Sequence, residues 1–321
     1  MPVQVEPAAP DFLAPETIRG FPPAREIPNH RPVNAPGPAN GSSLSEAQLR
    51  ALLTLLADDD LAVSRLARQR LEEAGEAGIS FLRRNRVHPD PTIRRRVREL
   101  LHEFDGGRFD TQFSAFILTH GEHFDLEDAV WRFTLTAHPE ISVAAFQAQL
   151  DEWANTAREH RGDSLSGEAA LRAINTVLFT ELGFRGNERD YYNPDNSYLN
   201  EVMDRRLGIP ISLSLIYMFV ARRLGLPVVG IGMPGHFLCR LQTPTDEFYI
   251  DAFHGGQLLS RIDCKKRLVN LAVEYDDRHL APISPRRILQ RLLANLHLIH
   301  KEKRRRVEAE RLERHLVALA R

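Results

Sequence analysis

This 321-residue chain has few cysteines and almost no net charge. Its two cysteines are Cys239 and Cys264, too few for a disulfide framework, so we expect a reducing compartment, the cytoplasm. The net charge is only −1, because 42 basic residues almost balance 43 acidic ones. That balance excludes a strong overall field for recruiting nucleic acid or an anionic membrane, so we expect neither as a partner.

Long apolar runs are also missing. No stretch approaches the roughly 20 residues that span a bilayer. The first residues show no basic region followed by an apolar one, so we expect no signal peptide. With 43% hydrophobic and 26% charged residues the composition is that of a globular protein, and the length favours about two domains.

Proline is concentrated at one end of the chain. Residues 1–42 carry ten of the twenty prolines, mixed with Ala, Asn and Gly. Such a segment cannot form helix interiors and buries little apolar surface, so we predict a mostly disordered arm.

A repeat of thirty residues follows the arm. Order is expected to begin near Ser43, which has capping-box spacing to Glu46. The stretch from Asp60 to Leu71 then aligns with the stretch from Asp90 to Leu101, which makes Val63 and Ile93 equivalent. A repeated helix pair is typical of HEAT-like proteins, in which each pair buries its apolar face against a neighbour. We therefore predict HEAT-like helices over residues 43–108.

The remaining chain predicts a core over residues 109–284 and a helical segment over 285–321. Apolar residues at helical spacing predict helices over 126–136, 143–158 and 167–182. A segment that is apolar nearly all round, 211–224, predicts a buried helix, which Pro210 can start and Gly225 can end. Strands are expected at about 228–233, 236–242 and 247–253.

The last two strands predict a His–Asp pair. A turn centred between Pro244 and Thr245 would place His236 opposite Phe253 and put Asp251 diagonally next to His236, on one sheet face. A carboxylate on one imidazole nitrogen leaves the other free to act as a base. A nucleophile would belong at the N-terminus of the buried helix, where unpaired N–H groups stabilise negative charge.

Spaced motifs over residues 122–300 resemble the SirB-type branch of the transglutaminase-like family. They are Gly183-Phe184-Arg185-Gly186-Asn187, the run from Asn193 to Val202, Arg206-x-Gly208-Ile209-Pro210-Ile211-x-Leu213-Ser214, Pro234-Gly235-His236-Phe237 and Asp251-x-Phe253-x-Gly255-Gly256. The chain departs from that family by having Ala252 after Asp251, where proline is expected. Only about forty residues follow the core, so 285–321 looks like the remnant of a tetratricopeptide-type extension. No cysteine lies between Gly208 and Gly225.

The resemblance implies an α+β fold: a mostly helical, papain-like core with a small antiparallel sheet, preceded by the HEAT-like section. It also implies a catalytic arrangement, vestigial or active, of Ser212, His236 and Asp251, with Ser214 as the alternative to Ser212. Other motif residues are candidates for binding, although the asparagines and Arg206 can equally brace the loops: Asn196, Asn200, Arg206, Pro234, Gly235, Phe237 and Phe253.

We expect the remaining reactive residues to have structural roles. Cys239 is expected on the sheet face opposite His236, and Cys264 in a charged loop whose lysines could lower its pKa. His120 and His123 match no strong ligand spacing, so we predict no metal and no cofactor.

Two functions remain open from sequence. The first is a catalytically degenerate transglutaminase-like module that binds a peptide or protein partner. The second is a hydrolase or acyltransferase that uses a Ser-His-Asp arrangement. The absence of a cysteine nucleophile favours the first.

Overall fold

The computed structural model describes residues 44–244, 246–271 and 274–321. The predicted proline-rich arm and Ser43 lie outside these residues. The described chain is mostly helical with small sheets, which confirms the predicted α+β class. It contains two compact units, one formed by residues 44–111 with 135–140 and the other by 112–134 with 141–321.

The first unit is helical throughout. Its helices are α1 (Glu46–Leu55), α2 (Leu61–Glu73), α3 (Gly75–Arg84) and the first part of α4 (Pro91–His120). The capping box of α1 pairs Ser45 with Gln48. The two equivalent positions of the repeat differ in burial: the side chain of Ile93 is buried and that of Val63 is half-buried. The HEAT-like assignment stays a prediction.

The second unit begins within α4, which runs unbroken through Gly106 and Gly107. Three helices then follow close to their predicted bounds: α5 (Leu126–Ala137), α6 (Val143–Arg161) and α7 (Gly167–Asn175). The helical path of α7 continues as a π-helix, Thr176–Glu181. After these come β1 (Arg185–Gly186), a 3₁₀ turn (Pro194–Asn196), α8 (Leu199–Arg205) and β2 (Leu207–Gly208), which pairs in parallel with β1.

The predicted buried helix is α9 (Pro210–Arg223). Pro210 occupies its first turn, where the missing N–H group leaves no hydrogen bond unmade. Gly225 follows the helix with a φ of 75°, the left-handed conformation that ends helices. Eleven of the fourteen residues of α9 are buried, so this helix forms the centre of the second unit.

The sheet that carries the candidate site is a four-stranded antiparallel meander. Its strands are β3 (Val228–Ile231), β4 (Leu238–Gln242), β5 (Glu247–Asp251) and β6 (Gln257–Leu259), hydrogen-bonded in that order. Cys239 pairs with Ile250, which is the predicted register. The strands are shorter than predicted, so His236 and Phe253 lie in the turns just beyond β4 and β5.

Three further helices complete the unit: α10 (Arg261–Asn270), α11 (Pro285–Glu302) and α12 (Arg306–Leu319). Both α11 and α12 fall within the helical segment predicted over 285–321, and the apolar residues at helical spacing on α11 are buried. Arg286 of α11 donates hydrogen bonds to the carbonyls of Leu319, at 2.9 Å, and Ala318, at 3.2 Å. A cation there satisfies the unpaired carbonyl groups at the end of α12.

None of the described helices is both long enough and apolar enough to cross a membrane.

A buried ion cluster generates a first prediction. Glu127 is 1% exposed and bonds Arg223 at 2.8 Å and Arg222 at 2.5 Å. Glu127→Ala removes the buried partner of Arg223 and leaves it only the exposed carboxylate of Asp151, so we expect the free energy of unfolding to fall by about 3 kcal/mol. The matched control is Asp128→Ala on the same helix, whose pair with Arg132 is exposed and should cost no more than about 1 kcal/mol. Equal losses in urea denaturation would contradict this.

A buried imidazole on α11 generates a second prediction. His300 is 3% exposed, and neither ring nitrogen has a partner in the described part of the chain. Burial lowers its pKa, an effect that the nearby charges of Glu308, Arg305 and Arg311 only modify. The unfolded chain therefore binds a proton that the folded chain resists, so this group costs stability as the pH falls below about 6.5.

We expect His300→Phe to flatten the loss of unfolding free energy between neutral and mildly acidic pH. His160→Gln is the control, because its ring is partly exposed and lies 2.7 Å from Glu181. Parallel pH profiles for the wild type and His300→Phe would show that His300 is not the group responsible.

Candidate functional site

The Asp251 carboxylate, which is fully buried, is the centre of the candidate site. Its Oδ1 atom lies 2.9 Å from Nε2 of His236, so the expected hydrogen bond between these two side chains is present. Its Oδ2 atom lies 2.8 Å from Nδ1 of His254 and also accepts a hydrogen bond from Nη1 of Arg267. Three cationic or protonatable side chains therefore converge on one buried carboxylate.

These contacts determine the ionisation of the site. Burial alone would raise the pKa of Asp251, but the hydrogen bonds from His236 and His254 outweigh it and hold the pKa far below its usual range. The hydrogen bond to Asp251 in turn raises the pKa of His254. Asp251 is therefore a permanent carboxylate across the physiological pH range.

Local structure positions each member of the site. Asp251 is the last residue of β5, and His254 follows in the turn that leads to β6. His236 ends a turn closed by its N–H group on the carbonyl of Met233, at 3.1 Å, with Gly235 at a φ of 67°. Nη2 of Arg291, on α11, clamps that turn by donating to the carbonyls of Met233 and His236, each at 2.8 Å.

Ser212, the predicted nucleophile, is not brought to His236. Its Oγ atom donates to the carbonyl of Asn196, at 2.6 Å, and lies 3.1 Å from the carbonyl of Ile209. It also accepts from the N–H group of Ile209 at 3.1 Å. The hydroxyl thus caps the start of α9 and fastens it to the preceding loop.

The alternative, Ser214, is not paired with His236 either. Ser214 lies two residues after Ser212 in α9 and is fully buried. Its hydroxyl has no hydrogen-bond partner among the described residues. No hydrogen bond joins His236 to a serine within residues 44–244, 246–271 and 274–321. Side-chain geometry here provides the base and the carboxylate without a nucleophile.

Both cysteines are free and buried in this structure. The Sγ atom of Cys239 lies 3.5 Å from the carbonyl of Ser214, and burial raises its pKa to about 12. Cys264 lies in α10 and not in a charged loop, because Ser260 and Asp263 start a helix there with a capping box. Its pKa is about 11, raised by burial, so the prediction that lysines could lower it was wrong.

Asn196, one of the predicted asparagines, braces the loop before α9. The amide of Asn196 is fully buried and donates to the carbonyls of Asp190, at 2.7 Å, and Tyr191, at 3.1 Å. It accepts from Nδ2 of Asn187 at 3.0 Å. Asn200 is also buried, with its Nδ2 atom 3.3 Å from Glu201. The contacts of Asn196 leave it no group to offer a ligand.

Arg206 stacks between two aromatic rings. Its guanidinium lies 4.8 Å from the ring centroids of both Trp153 and Phe184, and it donates to the carbonyl of Met203. Its backbone adopts a φ of 58°, a strained conformation for a residue other than glycine. Such contacts describe a bracing residue, and burial lowers its pKa.

The remaining candidates surround His236 in different ways. Pro234 and Phe237 are buried and Gly235 is half-buried in the turn. Phe253 lies in a group of rings: its centroid is 6.2 Å from that of His236, 5.2 Å from His254 and 6.0 Å from Tyr191, which in turn contacts Tyr192 at 5.5 Å. We call Tyr191, Tyr192, Phe253 and His254 the aromatic rim. Its members are half-buried except His254, which is exposed.

Three site residues were missed in the sequence: His254, Arg267 and Arg291. His254 follows Asp251 by three residues, and such spacing within a turn was a usable signal. Arg267 was missed because its segment was read as a loop, and Arg291 because it is a polar residue beside the apolar stripe of α11.

In the described chain, the histidines and carboxylates close enough to share a metal ion are His236, Asp251 and His254. His120 instead bonds the carbonyl of Phe116 at 3.0 Å.

Relatives with this region are found in bacteria and animals. A UPF0162 protein of Xylella fastidiosa strain 9a5c is 38% identical over 169 residues, covering 51% of this chain and 60% of the relative. A UPF0162 protein of Pseudomonas aeruginosa, PA3419, is 33% identical over 165 residues, covering 50% and 60%. F-box only protein 21 of Mus musculus is 40% identical over 136 residues, which are 39% of this chain and 21% of that protein.

The chain thus spans about 60% of the length of the UPF0162 proteins it matches. No solved structure matches it. Residues 144–294, which contain α9, the sheet and all members of the candidate site, match the model of the transglutaminase-like superfamily. This middle part of the chain is therefore similar to the transglutaminase-like superfamily.

Proposed function

We propose that this chain is a catalytically degenerate, SirB-type transglutaminase-like protein that binds a peptide or protein partner. The observation that carries the proposal is the hydroxyl of Ser212, which donates to the carbonyl of Asn196 at 2.6 Å and not to His236. A serine is a weak nucleophile unless a base takes its proton. Here the proton is committed to a backbone carbonyl in a fully buried position.

Cysteine chemistry is no better supported. Cys239 and Cys264 are buried, with pKa values raised to about 12 and about 11. Both therefore remain protonated thiols near neutral pH, whereas the thiolate is the nucleophilic form. Two free thiols also fit our proposal that the protein resides in the cytoplasm.

The aromatic rim supports binding. Half-buried tyrosine and phenylalanine rings offer large, stiff contact surfaces whose ordering on binding costs little entropy. Aromatic side chains are also enriched where a few residues supply most of the binding energy of an interface. We therefore place the partner against Tyr191, Tyr192, Phe253 and His254.

The way in which relatives share this region also fits a binding module. F-box only protein 21 of the mouse carries the matching segment in only 21% of its length. A region used as one part of a longer protein is consistent with a role in recognition. In this chain the helices of residues 44–111, which we interpret as HEAT-like, would supply additional surface for interaction.

The alternative is a serine-dependent hydrolase or acyltransferase. The hydrogen bond between His236 and Asp251, at 2.9 Å, favours it because a carboxylate orients a histidine base in this way. It requires Ser212 to leave two hydrogen bonds and reach the imidazole. We regard this as the weaker proposal.

A serine substitution separates the two functions. We expect Ser212→Ala to lower the free energy of unfolding by about 1–3 kcal/mol, because it leaves the buried carbonyl of Asn196 without its donor. Partner binding should be unchanged, since Ser212 does not reach the surface. We also expect a fluorophosphonate probe to leave wild-type Ser212 unlabelled, as judged by intact mass.

The serine-enzyme alternative makes the opposite prediction. Stoichiometric labelling of Ser212 that disappears in His236→Gln would establish a working nucleophile and base, and would sink the proposal of degeneracy. The His160→Gln variant is the control for that loss, because its histidine pairs with Glu181.

Selection of binding peptides tests the proposed surface. Peptides would be selected from a random display library on the wild-type chain, and their dissociation constants measured by fluorescence anisotropy. We expect Tyr192→Ala and Phe253→Ala to weaken binding about 30-fold or more each, the effect of losing an interface residue worth at least about 2 kcal/mol. Leu165→Ala, at a residue 94% exposed, is the control. Selected peptides that bind both rim variants as tightly as the wild type would disprove this location.

A further inference from the structure

We propose that His236, Asp251 and His254 form a binding site for a divalent transition-metal ion such as Zn²⁺. This inference goes beyond the proposed binding function and does not depend on it. No metal was predicted for these residues from the sequence motifs or from the family resemblance.

Geometry is the first argument. One ligand atom from each residue lies within 4.8 Å of the other two. Both imidazoles already contact the carboxylate, with Nε2 of His236 at 2.9 Å and Nδ1 of His254 at 2.8 Å. Ligands bound to one zinc ion at about 2.0 Å lie roughly 3–4 Å apart, so small side-chain rotations suffice to close the site.

Donor chemistry is the second argument. Two imidazole nitrogens and one carboxylate oxygen are ligands that first-row transition metals prefer, and three protein ligands leave positions for water or a bound group. The ion would take the place of the N–H protons that now bridge each ring to Asp251, and each neutral ring would carry its one proton on its other nitrogen. Alkaline-earth ions are disfavoured because they take oxygen ligands.

The surroundings hold these ligands in place. Arg267 donates to Oδ2 of Asp251 and reaches Gln257 at 3.0 Å, so the guanidinium can keep one carboxylate oxygen while Oδ1 binds the ion. Arg291 fixes the turn of His236 through two backbone carbonyls at 2.8 Å. Outer hydrogen bonds of this kind orient metal ligands and are a regular part of metal sites.

Of the three proposed ligands, His254 is the one exposed enough for an ion to enter the site beside it. Asp251 is fully buried and the side chain of His236 is 12% exposed, whereas that of His254 is 47% exposed. An ion can therefore reach the site from the side of His254. The same exposure allows His254 to be substituted without opening the core.

Titration of the full-length chain with Co²⁺ tests the site. We expect one Co²⁺ per chain, visible absorption bands of a four- or five-coordinate ion, and displacement by Zn²⁺. His254→Gln should weaken binding by more than the roughly 10- to 100-fold that loss of an outer-shell partner costs. His160→Gln, which removes a partly exposed histidine paired with Glu181, should leave the affinity unchanged.

An NMR titration of the wild type with Zn²⁺ provides a second readout that needs no variant. We expect the ring signals of two histidines, assigned to His236 and His254, to shift together at one equivalent. Absence of these shifts, or equal Co²⁺ affinity in His254→Gln and the wild type, would overturn the proposed site. Either result would leave the rim variants free to support or disprove peptide binding.

Discussion

The need to neutralise one buried carboxylate organises the sheet side of this protein. Asp251 has no exposed surface, and an unpaired charge in such a position is expensive. Its partners come from three separate segments: the turn before β4, the turn after β5, and α10. The carboxylate therefore fixes the positions of elements that share no backbone pairing at the site. Arg291 extends the same arrangement to α11 through the turn of His236.

A second polar centre fixes the helical side and determines where the hydroxyl of Ser212 points. The loop before α9 satisfies its backbone groups through the amide of Asn196, and Ser212 then bonds the carbonyl of Asn196 itself. In an active Ser-His-Asp site the hydroxyl would face the imidazole. Here the same atom joins a loop to a helix N-terminus. The observed hydrogen bonds therefore give Ser212 a structural role at the start of α9.

Local patterns in the sequence were sufficient for most of the long helices and for the register of the hairpin formed by β4 and β5. The apolar run before Gly225 predicted α9, and the turn near Pro244 predicted that Cys239 would pair with Ile250. The partners of Asp251 were harder to predict, because Arg267 is distant in sequence and its segment is rich in charge. The bonding of Ser212 was also beyond reach, since it depends on how a loop sixteen residues earlier returns to the helix. The periodicity of a sequence predicts which backbone segments pair. Which side chains pair across loops is determined by the tertiary structure and is not visible in that periodicity.

The two polar centres differ in what their presence implies. Ser212 and Asn196 satisfy backbone groups that would otherwise be buried unpaired, so hydrogen bonding alone accounts for them. Asp251 accepts one backbone N–H group, that of His254 at 3.3 Å, but its other partners are the side chains of His236, His254 and Arg267. Buried ion clusters of this kind are often no more stable than well-packed apolar residues of similar size. Stability therefore explains the serine and the asparagine but leaves the His–Asp–His cluster unexplained. That difference is why we place the proposed function at the cluster and at the aromatic rim beside it, and not at the start of α9.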